Sequence, residues 1–327
     1  MDTIYIEREV LTHPRSLRIC ERYPDARHIT IERYSDVFNA RAQDFVQQKK
    51  NPALILASKH GKRIHATPPG YHIGGQKNFY FSHMFNCVYD CRYCFLQGMY
   101  QSANYVIFVN SEDFLQDISD TIRHFKTDCW FFSGYDCDSL ALDPITRFVD
   151  DCLNFFDGLE NGWLELRTKS TQIRPLLKRE ALPNVVVAYS LSPQAIVSTE
   201  EHGTPSLSKR IAALKSLQDA GWSIGLRFDP LLYADNFVDL YNSMFDEVFD
   251  TLDMSRIHSV SLGVFRLPKG YHKKLVRMYP DSRLLAANVS QRNGMMSYPE
   301  DTENTMRSHC MKRLNEVITQ DQFFPCS

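Results

Sequence analysis

The segment Cys87-Val88-Tyr89-Asp90-Cys91-Arg92-Tyr93-Cys94-Phe95-Leu96-Gln97 places three cysteines within eight positions, directly after the apolar run around Tyr80-Phe81. Beyond it, short runs rich in β-branched and aromatic residues recur: Val106 to Val109, Trp130 to Phe132, Trp163 to Leu166, Val185 to Ala188, Ile224 to Phe228 and Val260 to Leu262. Segments of helical period separate them, at Pro144 to Phe156, Ser208 to Ala220 and Phe237 to Leu252. This alternation is that of repeated βα units and predicts an α/β fold, a partial (βα)6 TIM-like barrel over residues 76–265. Chemistry is then expected at the carboxyl ends of the strands.

Two smaller parts flank the barrel. Residues 1–75 read as a small N-terminal α/β addition, with strands near Thr3 to Ile6 and Ala53 to Ala57, a helix over Ser16 to Arg22, and a joint at Thr67-Pro68-Pro69-Gly70. Residues 266–327 read as an irregular C-terminal cap ending in a helix from Glu303 to Ile318. Hydrophobic residues make up 43% of the 327 positions, enough for a sizeable interior. No window approaches the roughly 18 apolar residues of a bilayer span, and Met1 to Glu9 lacks a signal-peptide core, so no membrane and a cytoplasmic location are expected. The formal charge of -2 excludes a globally basic protein. Local basic runs remain at Lys59, Lys62, Arg63 and Lys77, and at Arg266, Lys269, Lys273, Lys274 and Arg277. Such runs permit a phosphate-bearing partner but are usually solvated faces.

Nine cysteines in a long chain, an odd number with three crowded together, indicate metal ligation better than a disulfide set. Three thiolates can hold three irons of a 4Fe-4S cubane and leave the fourth iron open, whereas electron-transfer clusters use four cysteines. An open iron can bind an amino acid's amine and carboxylate and deliver one electron to its sulfonium group. The competing reading is a zinc-containing nucleic-acid-binding module, although zinc usually needs four ligands and His83 is the only nearby candidate for the fourth. Cys20, Cys129, Cys152, Cys310 and Cys326 read as packing or exposed thiols.

The CxxxCxxC spacing followed by the aromatic Phe95 resembles the signature of the radical S-adenosylmethionine superfamily. Further segments resemble one branch, the spore photoproduct lyase family: Tyr5 to Glu9, Cys91 to Gln97, Ser133 to Pro144, Arg167-Thr168-Lys169, Tyr189 to Pro193 and Gly225 to Pro230. The likeness runs from about Ile4 to Leu314. It implies a 4Fe-4S cluster on Cys87, Cys91 and Cys94, with S-adenosyl-L-methionine as cofactor. It also implies that Ser133 and Gly134 meet the methionine amino group, Lys169 its carboxylate, and Ser190 with Ser192 the ribose.

The reaction implied is reversal of a thymine-dimer lesion in DNA by hydrogen abstraction, fragmentation and return of a hydrogen from a cysteine. Damaged DNA and a reducing electron-transfer protein such as a flavodoxin or ferredoxin are the implied partners. Tyr93 fits one tyrosine of the family's hydrogen relay, but Phe95 stands where the spore enzymes usually carry another, and it has no O–H. Cys137 lies in the segment of the hydrogen-donating cysteine. Aligning through Asp138-Ser139 and Asp143 instead sets Tyr135 opposite that cysteine. A radical enzyme of the same scaffold acting on another substrate is the alternative. Tyr271 and Tyr298 are candidate wedges into a duplex, with burial in the cap as the competing role.

Overall fold

The computed structural model describes residues 1–326. Six parallel strands form the centre: β1 (Lys77–Phe81), β2 (Cys129–Ser133), β3 (Gly162–Thr168), β4 (Val185–Ser190), β5 (Ser223–Leu231) and β6 (Ile257–Val264). They pair in chain order, β1 beside β2 through to β6. The expected partial (βα)6 barrel is therefore present, extended by the parallel strand Phe323–Pro325 beside β6 and the antiparallel strand Ile64–Ala66 beside β1. All six residues of β4, VVVAYS, are buried, as befits a parallel strand covered on both faces.

The sheet does not close on itself. On its open side the segment around Tyr71 and Ile73 turns back inward, and Ile73 packs with Trp130, Phe132 and Val186. The residues after the expected joint thus fill the barrel interior.

A second sheet holds the strands 27–31, 3–7, 54–57, 105–108 and 84–85 in that order. The first four are parallel and the last antiparallel. The run at Val106 to Val109, expected among the barrel strands, pairs here with Leu54–Ala57. A short, fully buried apolar run fits any covered strand, and its sequence does not say which sheet it joins. The helix expected from Pro144 to Phe156 is split at Arg147, whose φ of 53° separates Asp143–Thr146 from Phe148–Phe156.

The cap is more regular than expected. Strands 266–268, 290–292 and 295–297 form an antiparallel sheet, accompanied within the cap by helices Lys269–Met278 and Glu300–Leu314. The second helix packs on Phe237–Thr251 and β6. Among the described residues, no helix is long and apolar enough to cross a membrane.

The barrel interior carries charge at mid-depth. Glu165 of β3 and Arg227 of β5 are both fully buried, with Arg227 Nη2 2.7 Å from Glu165 Oε2. Arg227 also donates to the carbonyl and hydroxyl of Ser259 on β6, and Arg167 Nε lies 3.1 Å from Glu165 Oε1. The pair joins three strands and leaves few donors unmet, the condition under which a buried ion pair is tolerated. Arg227→Ala, which strands the Glu165 carboxylate, is expected to destabilise the fold by about 3–5 kcal/mol in urea unfolding.

Candidate active site

The cysteine loop leaves the strand Met84–Phe85 at Asn86, whose φ is 68°. Asparagine tolerates this left-handed conformation, and its amide anchors the loop by donating to Ser102 O at 2.7 Å and Asn104 O at 2.8 Å. Asp90–Cys91 pairs antiparallel with Glu201–His202, and the Cys94 amide donates to Cys91 O at 3.0 Å, turning the chain into the helix Phe95–Met99. Gln97 Nε2 closes the loop on Cys91 O at 2.6 Å. Outside it, Lys49 reaches Asp90, Gln97 and the Tyr279 hydroxyl.

Burial pushes the thiols of Cys87, Cys91 and Cys94 up, with Lys169 opposing this at Cys91 and Cys94. Burial of this kind holds the sulfurs protonated unless a cation replaces the protons, a charge that the iron of a cluster would supply. The three mutually coupled thiols therefore fit a cluster as a donor set. Among the described residues, no three His, Cys, Asp or Glu side chains converge tightly enough to hold a single metal ion.

Behind Cys91 lies a buried carboxylate that no sequence motif marks. Glu201 accepts from Arg210 Nη2 at 2.5 Å, from Ser192 Oγ at 3.0 Å and from the Tyr93 hydroxyl. Arg210 is itself fully buried and donates to Ser190 O at 3.1 Å. The Lys169 ammonium sits 5.6 Å from the Tyr93 ring centroid, and Glu201 holds its charge against the cost of burial. Cys91, Tyr93, Lys169, Ser190 and Ser192 are thereby gathered around one ionic centre. The only sequence signal for it was charge inside otherwise helical segments, which does not distinguish a buried pair from a solvated one.

Ser133 ends β2, and Gly134 follows with φ 82°. A Cβ at Gly134 would lie 2.6 Å from Ser139 Oγ and 3.0 Å from Arg167 O, so the turn requires glycine both for its conformation and for its closeness to β3. The Ser133 hydroxyl is engaged with Ser139 Oγ at 2.7 Å and Glu165 O at 3.1 Å, which leaves the backbone of this turn to meet a ligand. Asp138 ties the same loop to the end of β3, accepting from Thr168 Oγ1 at 2.6 Å and the Lys169 amide at 2.7 Å.

The two residues weighed for hydrogen donation lie apart. Tyr135 stacks on Tyr80 with centroids 4.3 Å apart and meets Phe95 at 5.6 Å, beside the cysteine loop. Cys137 is buried against the N-terminal sheet with Ile4, Ile6, Leu54 and Met84, its sulfur 3.9 Å from His83 Nδ1. Tyr298 is buried with its hydroxyl accepting from the Tyr233 amide at 3.0 Å, so it fills the cap rather than presenting a wedge. Tyr271 packs over Gly98 of the cluster-loop helix.

The Glu201 network gives a pH signature. Burial works against ionisation, but Lys169, Arg210 and the hydrogen bonds outweigh it and hold the carboxyl below its ordinary value of 4.5. Folding therefore favours the deprotonated form. The resulting stability is complete above the ordinary value and is lost as pH falls through the lower folded value. Glu201→Gln is expected to cost about 3 kcal/mol at pH 7 and to shrink the further loss of stability between about pH 5 and pH 3 in urea unfolding.

A family model described as spore photoproduct lyase matches residues 1–325. The chain is 21% identical to spore photoproduct lyase of Bacillus subtilis (strain 168), over 98% of this chain and 95% of that protein. It is 22% identical to that of Geobacillus sp. (strain Y412MC61), over 61% of this chain and 59% of that one. Among solved structures, a spore photoproduct lyase double variant with bound AdoMet and dinucleoside spore photoproduct superposes with a TM-score of 0.86. It is 17% identical over 99% of this chain and 97% of the other. Matched over nearly its whole length by this model, the chain belongs to the spore photoproduct lyase family.

Proposed function

We propose that this chain is a radical S-adenosylmethionine lyase that reverses a spore-photoproduct type thymine dimer in DNA. The observation that carries the reading is the convergence on one barrel mouth of the CxxxCxxC loop and the ends of β2, β3 and β4. Cys87, Cys91 and Cys94 would hold the 4Fe-4S cluster, which with the bound cofactor supplies one-electron cleavage of a sulfonium bond and hence hydrogen abstraction. The Lys169 ammonium would neutralise the methionine carboxylate, backbone groups at Ser133 and Gly134 would face the amine, and Ser190 with Ser192 would border the ribose. The Tyr93 hydroxyl, committed to Glu201, fixes its ring against Lys169.

Relatives whose structures contain a dinucleoside spore photoproduct support the choice of substrate. A lesion must leave the base stack to reach a barrel mouth. A cavity of about 810 Å³ lined by Arg92, Glu200, Tyr233 and Arg283, among others, lies between the cluster loop and the cap, within the range of ligand sites. A flavodoxin or ferredoxin is the class of donor that would reduce the cluster. A second reading, the same radical chemistry on another substrate, is favoured by Phe95 and by the burial of Cys137 against the N-terminal sheet.

Anaerobic reconstitution is expected to give about four irons with matching sulfide per chain, falling away when Cys87, Cys91 or Cys94 becomes Ala. The reduced protein should convert S-adenosylmethionine to 5′-deoxyadenosine and restore two thymine residues in spore-photoproduct DNA. Deoxyadenosine without lesion loss would select the second reading, and one zinc without sulfide would overturn both.

The basic run of the cap divides. Arg266 pairs with Asp229 at 3.2 Å, and Lys274 reaches the carbonyls of Gly98 and Tyr100, whereas Lys269, Lys273 and Arg277 are exposed. Replacing these three by Ala is expected to weaken DNA binding and to lower the slope of log K against log salt by about 0.9 for each phosphate no longer neutralised. Lys274→Ala alone should leave that slope unchanged.

A further inference from the structure

Fragmentation of a thymine dimer after hydrogen abstraction breaks the C–C bond between the two bases and leaves a carbon radical on one of them, and that radical needs one hydrogen atom. Among side chains the thiol S–H bond is the readiest to supply it. Cys137 is buried against the N-terminal sheet, and the cluster loop uses three other thiols. The barrel interior contains one more.

Cys326 follows the strand Phe323–Pro325, and its amide donates to Leu262 O of β6 at 3.2 Å. Alternation along this strand puts Phe324 and Cys326 on one face, and Phe324 packs with the interior residues Trp130 and Phe132. The register aligns Phe228 with Leu262 and Leu262 with Pro325, so Cys326 stands level with Asp229 at the carboxyl end of β5. Its sulfur lies 3.1 Å from Asp229 Oδ2 and 3.4 Å from Arg266 Nη2, and Arg266 itself contacts Asp229.

Cys326 also lines a cavity of about 10 Å³ together with Arg167 and Ser261. Ser261 is only 5% exposed, and its Oγ is buried without a hydrogen-bond partner. That orphaned hydroxyl beside room for about one water marks a polar site next to Cys326 that the packing alone does not explain.

Resting on the lyase reading, we propose that Cys326 is the thiol that returns the hydrogen atom to the base radical, with Asp229 and Arg266 positioning its sulfur. The S–H bond breaks homolytically, a C–H bond forms on the thymine freed from its partner but still on its deoxyribose, and a thiyl radical remains on Cys326. The thiyl returns to the thiol by taking one electron from the one-electron protein donor that also serves the cluster, and one proton from solvent by way of the cavity beside Ser261. Burial and the Asp229 carboxylate push the thiol up to about 11, so the sulfur carries its hydrogen at neutral pH.

The test is turnover of the reconstituted full chain in D2O with an oligonucleotide whose only thymines are those of the lesion, following deoxyadenosine and, after digestion of the oligonucleotide, the restored thymine and its deuterium by mass spectrometry. The thiol exchanges with solvent, so the unsubstituted protein should restore thymine bearing a single solvent deuterium. Cys326→Ser, nearly isosteric but with a much stronger O–H bond, should still form deoxyadenosine, which shows that it folds and binds cofactor. Its thymine should lose the deuterium and fall in yield per deoxyadenosine, while Cys137→Ser behaves like the parent. Deuterated thymine at parental yield from Cys326→Ser, or loss of the label in Cys137→Ser, would overturn the proposal while leaving the lyase reading intact. Deoxyadenosine without any restored thymine from the unsubstituted protein would instead remove the lesion reading and the donor role together.

Discussion

The candidate site depends on one buried carboxylate. Glu201 accepts hydrogen bonds from Tyr93, Ser192 and Arg210, and its backbone pairs with Cys91. A charge this deep is tolerable only because two cations and two hydroxyls surround it. That requirement draws the cysteine loop, the end of β3 through Lys169 and the segment after β4 into one rigid unit. A loop carrying three cysteines has no regular structure of its own to fix the sulfurs, so its geometry is borrowed from this centre. The Asp138 carboxylate does the equivalent work on the other side, binding the Ser133-Gly134 turn to the amide of Lys169.

The barrel interior is graded by depth. Trp130, Trp163 and Ile73 fill the lower part, Glu165 and Arg227 pair above them, and Arg167, Asp229 and Cys326 stand nearest the carboxyl ends. An apolar floor excludes water, while the ion pairs strengthen in the low-dielectric interior and hold strands at fixed separation. Both serve a reaction in which a free radical must meet only its intended partner. The aromatic stack of Tyr80, Tyr135 and Phe95 extends the packed wall to the cluster loop.

The sequence by itself determined the alternation of strands and helices, the cluster loop and its place after a barrel strand, because those features rest on local periodicity and on the spacing of cysteines. Ser133, Gly134, Lys169, Ser190 and Ser192 were marked by the resemblance of their segments to the family's motifs, which fall where the apolar strand runs end. Tertiary structure decided the rest. Whether Val106 to Val109 joined the barrel or the neighbouring sheet depended on which covered surface was available, and one fully buried run suits either. Glu201 and Arg210 looked like any charged residues until packing removed water from both. The direction in which each cysteine side chain packs was likewise outside the reach of local pattern. Cys137 adjoins the site in sequence yet turns into the N-terminal core, while Cys326, far along the chain, enters the barrel because its strand pairs with β6. Local sequence sets the conformation of each segment, but the direction a side chain finally faces is set by the partner strand, and only the assembled sheet supplies that partner.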